Sequence, residues 1–372
     1  MRARAAVLDS VGGRFSIEEI ILDEPRDDEI LVSMVATGLC HSDLAVNTGV
    51  TPYPVPAVLG HEGAGIVEHV GGAVRDIRPG DAVVMQSASC GRCLNCLQGR
   101  PLHCDAWRDS NLGSGRRSDG SSTMTRADGS PLFGCFFGQS SFATHALATE
   151  RTVAKIPMRD DLWKMGPLGC GVQTGAQAVL EVLRPRPGDV LTVFGAGAVG
   201  LSAVLAAVRL TGGVVIVVDV NEERLDVATQ FGATHVLDAG SCTDVPAAIR
   251  ALTNGRGTDL ALESSGVPKV LEDAIDALAA LGTCGIVGAP AITATLTTPI
   301  VPLIAKGARL IGINQGEVVA QASIPALVDL FDAGRFPFDE LLTEFAFEDI
   351  NDAAEAASAG RVVKPVLRFP QP

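Results

Sequence analysis

The chain has 372 residues, more than one hydrophobic core ordinarily serves, so two domains are expected. Hydrophobic residues make up 47% and charged residues 19%, without low-complexity tracts or internal repeats, which excludes a disordered protein. With 43 acidic against 29 basic residues the formal charge is −14; such a surface repels phosphate backbones and anionic lipid, so neither nucleic acid nor a membrane is an expected partner.

The opening segment, MRARAAVLDSVGG, holds no apolar stretch of signal-peptide length, and a cytoplasmic protein is expected. Through the first 150 residues, short strand-like runs (RARAAVLD, SIEEIIL, EILVSMVATG, AGIVEHVG, DAVVMQ) are broken by turns such as Arg78-Pro79-Gly80-Asp81, the pattern of a β-rich domain. Two cysteine sets fall in or beside it. Cys40 in GLCHSD, His61-Glu62 in LGHEGAG and Cys170 in PLGCGVQTGA form a dispersed set: two thiolates and an imidazole leave one place open on Zn²⁺, as a catalytic metal requires. Spacing alone does not assemble the three, and small buried cysteines with a structural histidine remain the competing reading. The other set is compact. CGRCLNCLQGRPLHC brings Cys90, Cys93, Cys96 and Cys104 into one loop, and four thiolates suit a closed tetrahedral zinc that serves as scaffolding. A redox couple of Cys93 and Cys96 is the alternative. The Gly/Ser-rich stretch from Arg108 to Ser130 reads as a surface excursion with little regular structure.

From Val190 to about Pro290, apolar runs alternate with helix-like runs: VLTVF, a helix after Gly200, VVIVVDV, NEERLDVATQFGA, HVLDA, DVPAAIRALTNG, TDLALESSG, VLEDAIDALAALG and TCGIVGAP. This implies βαβ units and a doubly wound parallel sheet. LTVFGAGAVGLSAVLAAV lacks charge over a membrane-span length, but Gly195, Gly197 and Gly200 mark a buried strand turning into a buried helix instead. The same glycines have GxGxxG spacing, and Asp219 closes the next apolar run about 20 residues on, where a carboxylate accepts hydrogen bonds from an adenosine ribose. Glycines serving only helix–strand packing are the bland alternative. A carboxylate at Asp219 repels a 2′-phosphate, and neither Val220 nor Asn221 offsets it, so NAD is expected over NADP. From Asn314 the character is mixed again and ends in the strand-like VVKPVLRFP, expected to rejoin the first domain and make the doubly wound unit an insertion.

GLCHSD, GHEGAGIVEHVG, CGRCLNCLQGRPLHC, GCGVQTGAQAVL and FGAGAVGL, in this order over nearly the whole chain, resemble the zinc-dependent medium-chain alcohol dehydrogenases, and among them the benzyl-alcohol (aryl-alcohol) branch. The resemblance implies an α/β protein: a Rossmann NAD-binding domain (172–313) inserted in a β-rich GroES-like catalytic domain (1–171, structural zinc lobe at about 88–106, with a return at 314–372). It implies that Cys40, His61 and Cys170 hold the catalytic zinc, with Glu62 close behind as a transient ligand and Asp43 orienting His61. Cys90, Cys93, Cys96 and Cys104 would hold the structural zinc, giving two Zn²⁺ per subunit. Gly195, Gly197, Gly200 and Asp219 would bind NAD, Thr174 and Val199 would flank the nicotinamide, and His41 and Lys364 would meet the cofactor phosphates. Ser42 would relay the alcohol proton, although Ala45 stands where many relatives carry the histidine that continues the relay. Phe136 and Phe137 would wall the substrate channel. The implied activity is interconversion of a primary aromatic or allylic alcohol and its aldehyde. A glutathione-dependent formaldehyde dehydrogenase, a general aliphatic alcohol dehydrogenase and a non-enzymatic NAD(H)-binding sensor are the alternatives. ARLIGINQGE, Ala308 to Glu317, resembles the edge-strand region through which relatives pair, implying a homodimer or homotetramer.

Overall fold

The computed structural model describes residues 1–211 and 213–370. Two compact units emerge. One comprises Met1–Cys170, Val318–Asp329 and Leu342–Pro372, the other Gly171–Glu317 and Leu330–Leu341.

The first unit is built on two sheets. One orders its strands Ala57–Val58, Arg2–Leu8, Phe15–Leu22, Met124–Arg126 and Pro131–Leu132. Period-two alternation drives its early pairing: Arg2 and Arg4 point outward while Ala3, Ala5 and Val7 are buried. The other sheet runs Val153–Ile156, Ala82–Met85, Glu62–Val70, Glu29–Gly38, Lys364–Arg368 and Leu342–Ala346, with His145–Thr149 also paired to Glu29–Gly38. The strand ending the chain thus lies antiparallel to Glu29–Gly38, matching Val366 to Gly38, and parallel to Leu342–Ala346. A common core of Leu8, Ile20, Ile30, Val32, Phe142 and Leu367 joins these elements.

The stretch from Arg108 to Ser130 departs from its expected irregularity. It contains a helical turn at Asp109–Gly113 and the strand Met124–Arg126, paired to Phe15–Leu22. Its anchor is ionic: Arg117, with a side chain only 6% exposed, donates to both oxygens of Glu29 at 2.6 and 2.8 Å and to Asp23 at 2.6 Å. A Gly/Ser-rich composition hides such a long-range pair.

The second unit is an all-parallel six-stranded sheet in the order His235–Asp238, Val214–Asp219, Val190–Phe194, Thr258–Glu263, Leu278–Ile286 and Arg309–Gly312. The chain winds outward from Val190–Phe194 to one side, then returns to build the other, so the strand order reverses beside Val190–Phe194, where such sheets bind ligands. The uncharged run resolves into that buried strand and the helix Ala198–Ala206. No helix among the described residues is long and apolar enough to cross a membrane. One boundary moved: the helix-like VLEDAIDALAALG ends as helix at Asp276, and Leu278 already pairs with Thr258 as strand. An apolar run of this length fits either period. Arg309–Gly312 is an exposed edge strand, and the helix Ile300–Lys306 before it has no fully buried residue, leaving Ile300, Val301 and Ile304 at least 70% exposed.

Candidate active site

Cys40 precedes the short helix His41–Asn47, whose first turn carries the fully buried Asp43. Asp43 Oδ2 accepts the Cys40 N–H at 2.9 Å; Oδ1 accepts the Gly60 N–H at 3.0 Å and lies 3.2 Å from His61 Nδ1. One carboxylate therefore fixes both ligand-bearing segments. A carboxylate at Nδ1 favours a proton there, so in the neutral ring the lone pair lies on Nε2. That Nε2 is buried and has no hydrogen-bond partner among the described residues. Gln139 clamps the adjacent backbone, donating from Nε2 to the His61 carbonyl at 3.0 Å and accepting the Gly63 N–H at 3.3 Å.

Cys170 closes the group from the turn Gly166–Gly169, just before the helix Gly171–Gln177. Cys40, His61, Glu62 and Cys170 each bring a ligand atom within 4.8 Å of the others. A buried imidazole nitrogen without a partner, beside two thiols and a carboxylate, is a donor set suited to Zn²⁺. The hydrogen bond with Cys170 holds the Cys40 thiol well below its ordinary range against the effect of burial, and the same contact together with burial pushes Cys170 well above. Burial disfavours a charged His61, but Asp43 and Cys40 outweigh it and raise its pKa well above the usual value.

Glu62 is buried behind these donors, and burial lifts it to about 7 against the pull of Lys364. Lys364 is where expectation and structure part. Rather than facing solvent where a phosphate would dock, its side chain is 2% exposed and Nζ donates to both Glu62 oxygens at 2.8 Å. Phe136 and Phe137 lie against the donor group itself. Phe136 is fully buried against Tyr53 and His61, with centroids 5.0 and 5.4 Å apart, and Phe137 stacks on the His61 imidazole at 4.4 Å and 21°. Ser42 is half-buried beside Asp43, Ala45 is half-buried one turn on, and His41 is exposed.

In the cysteine loop, Cys90, Cys93, Cys96 and Cys104 likewise gather their sulfurs within 4.8 Å. All four converge, as a closed zinc set needs, rather than Cys93 and Cys96 alone. The Arg92 and Cys93 N–H groups pull the Cys90 thiol down to about 6, and Cys90 N–H donates to Cys104 Sγ at 3.2 Å. Asn95 Nδ2 ties the loop by donating to the His103 carbonyl at 2.8 Å.

In the second unit each glycine of the turn has its own reason. Gly195 sits at φ +97°, which a side chain rarely adopts, and a Cβ on Gly200 would lie 1.8 Å from the Gly195 carbonyl. A Cβ on Gly197 would meet nothing within 4 Å, so packing does not explain that glycine; open space at the N-terminus of Ala198–Ala206 suits an approaching pyrophosphate. Asp219 Oδ1 accepts the Val220 and Asn221 N–H groups at 2.8 and 2.9 Å, and Oδ2 accepts that of Ala196, holding the carboxylate beside the turn. These residues fit a dinucleotide. Thr174 is buried on Gly171–Gln177, and Val199 is half-buried on Ala198–Ala206.

Sequence reasoning passed over Gln139, a buried amide that nothing in its own segment marks. It also passed over Arg224, five residues after Asp219, and Trp107, three after Cys104. The Arg224 Nε and the Trp107 indole nitrogen are buried without a hydrogen-bond partner, and Trp107 meets Phe137 edge-on with centroids 5.8 Å apart.

Residues 26–158 match the alcohol dehydrogenase GroES-like domain, and residues 198–333 match the zinc-binding dehydrogenase family. The chain is 42% identical to a geraniol dehydrogenase of Castellaniella defragrans, over 99% of this chain and 98% of that protein. Among solved structures, a zinc-binding-domain alcohol dehydrogenase protein from Burkholderia ambifaria superposes with a TM-score of 0.96 at 46% identity. The benzyl alcohol dehydrogenase of Acinetobacter calcoaceticus does so with a TM-score of 0.95 at 40%, and both comparisons cover all of each chain. The chain belongs to the zinc-dependent medium-chain alcohol dehydrogenases. It is an oxidoreductase of a family that uses zinc and a nicotinamide dinucleotide.

Proposed function

We propose that the protein interconverts primary aromatic or allylic alcohols and their aldehydes with NAD as hydride carrier. The observation that carries this reading is the convergence of Cys40, His61 and Cys170 around a buried, unpartnered imidazole nitrogen that Asp43 orients. Similarity to a geraniol and a benzyl alcohol dehydrogenase supports the substrate class, since in both named alcohols the carbon that bears the hydroxyl is attached to an unsaturated carbon. When bound, zinc supplies Lewis acidity that favours the deprotonated form of an alcohol, and the nicotinamide supplies the hydride acceptor.

The chain's own residues do the rest. Cys40, His61 and Cys170 are the metal donors, and Asp43 keeps the His61 lone pair on Nε2. Ser42, two residues beyond Cys40, takes the alcohol proton through its hydroxyl; with Ala45 in place of an imidazole at the next step, water or the exposed His41 completes the relay. Phe136 and Phe137 exclude water from the imidazole, and Phe137 offers the aromatic packing nearest to it. Cys90, Cys93, Cys96 and Cys104 hold a second, structural zinc. Gly197 and Asp219 receive the cofactor, Thr174 and Val199 flank its nicotinamide, and the exposed His41 is the remaining member of the set to meet its phosphates. Nine free cysteines, six of them in the two ligand sets, suit a reducing cytoplasm. The exposed edge Arg309–Gly312 and the apolar face of Ile300–Lys306 suit pairing with a second copy in a homodimer or homotetramer.

Steady-state NAD reduction with benzyl alcohol, geraniol, ethanol and S-(hydroxymethyl)glutathione tests the substrate class. The two unsaturated alcohols are expected to exceed ethanol in kcat/KM by at least about tenfold, the scale on which apolar pockets discriminate. Preference for ethanol or the glutathione adduct would sink the proposal. For the cofactor, Asp219→Ala combined with Val220→Arg removes a repelling carboxylate and adds a cation. The ratio of NADP to NAD activity is expected to rise by about 100-fold, two charge changes each worth near 1.4 kcal/mol; an unchanged ratio overturns the role given to Asp219.

A further inference from the structure

Glu62 adjoins His61 in sequence and reaches the donor group, yet its carboxylate is engaged elsewhere. Lys364 Nζ donates to both of its oxygens at 2.8 Å and makes a longer contact, 3.4 Å, with the carbonyl of Leu39, the residue before Cys40. Both side chains are essentially sealed from solvent, at 2% and 0% exposure. The floor of the slot is Gly38, directly opposite Glu62 in the strand register; a Cβ there would lie 2.0 Å from Glu62 Oε2. The backbone at Gly38 is ordinary strand, so the space its missing side chain leaves, not its conformation, is what the carboxylate uses. A buried bidentate ion pair is costly to break, because each partner left alone is an uncompensated charge.

We propose that Lys364 and Gly38 park Glu62 away from the metal, keeping open the coordination place that substrate uses. The proposal rests on the reading of Cys40, His61 and Cys170 as the metal donors. Lys364 acts here as a positioning residue. With its ammonium removed, the carboxylate loses both of its short contacts, and the nearest remaining partner is a metal held by the same donor cluster. Glu62 then becomes a fourth protein donor, the metal is retained more tightly, and small ligands lose their place.

The test uses the cobalt-substituted enzyme, whose visible d–d bands report the donor set, titrated with imidazole. Lys364→Met is expected to alter those bands in the absence of imidazole and to weaken imidazole binding by about tenfold or more, while slowing cobalt loss to a chelator. Lys364→Arg, which keeps a cation, restores the native spectrum and affinity. So does Glu62→Gln combined with Lys364→Met, because no carboxylate remains to close the place. Gly38→Ala evicts the carboxylate with Lys364 intact and is expected to reproduce the Lys364→Met spectrum, so the proposal stays testable should the lysine variant misfold. Unchanged bands and imidazole affinity in both Lys364→Met and Gly38→Ala, with cobalt bound, overturn it. An unmodified enzyme that binds cobalt only at the four cysteines fails at an earlier point, refuting the donor assignment itself.

Discussion

Cys40→Ser is expected to lower kcat/KM with benzyl alcohol by about 10³-fold and to reduce bound zinc from two equivalents per subunit to one. A Lewis acid contributes several kcal/mol of charge stabilisation, and each 1.4 kcal/mol is about a factor of ten in rate. Serine keeps the size of the side chain but its hydroxyl does not ionise near neutral pH, whereas the Cys40 thiol, hydrogen-bonded to Cys170, is held well below its ordinary range. Asp43 still holds the backbone of residue 40 through its N–H, so the fold is expected to survive. Elemental analysis with circular dichroism and kinetics separates the outcomes. Full turnover with one zinc lost would remove the catalytic role from this cluster.

Cys93→Ala is expected to act on stability instead. The lobe around Cys90 to Cys104 has almost no apolar interior: its helix Leu94–Leu97 buries nothing, Leu94 and Leu97 are 67% and 72% exposed, and within the loop only Leu102 and Cys104 are buried. A segment this short and this exposed depends on a metal for cohesion. Losing one of four thiolates is expected to lower Tm by about 10 °C, corresponding to several kcal/mol, and to make the loop susceptible to limited proteolysis. A Tm within about 2 °C of the unmodified protein, with the second zinc absent, would show that the lobe holds itself together.

The donors of both clusters were legible in the sequence because cysteine, histidine and glycine carry chemistry whose spacing is local: the cysteine loop is one short segment and the glycine turn another. The dispersed donors became legible only through several motifs in fixed order, since no spacing rule brings Cys170 to Cys40. Apart from Asp43 and Glu62, which the resemblance placed beside them, what surrounds those donors was not legible. Lys364 meets Glu62 across 302 residues, Gln139 reaches His61 across 78, and Arg117 meets Glu29 across 88. Each is a single polar side chain whose partner is chosen by tertiary packing, and a lysine near a strand end looks alike whether it faces a phosphate or a buried carboxylate. Phe136 and Phe137 show the same limit: apolar side chains suit a substrate wall or a core equally well, and nothing in their own segment announces their packing against His61.

Strand order in the first unit has an outcome for biosynthesis. The segment Lys364–Arg368 is laid against Glu29–Gly38, so during synthesis the sheet beside Cys40 and His61 stays unfinished until residue 368 has emerged. The parallel sheet of the second unit needs nothing later than Leu341 and can fold while translation continues. Until that segment emerges, the growing polypeptide carries clustered thiols on an incomplete scaffold, and capture of an ion by the Cys40 cluster has to follow the closing of this sheet.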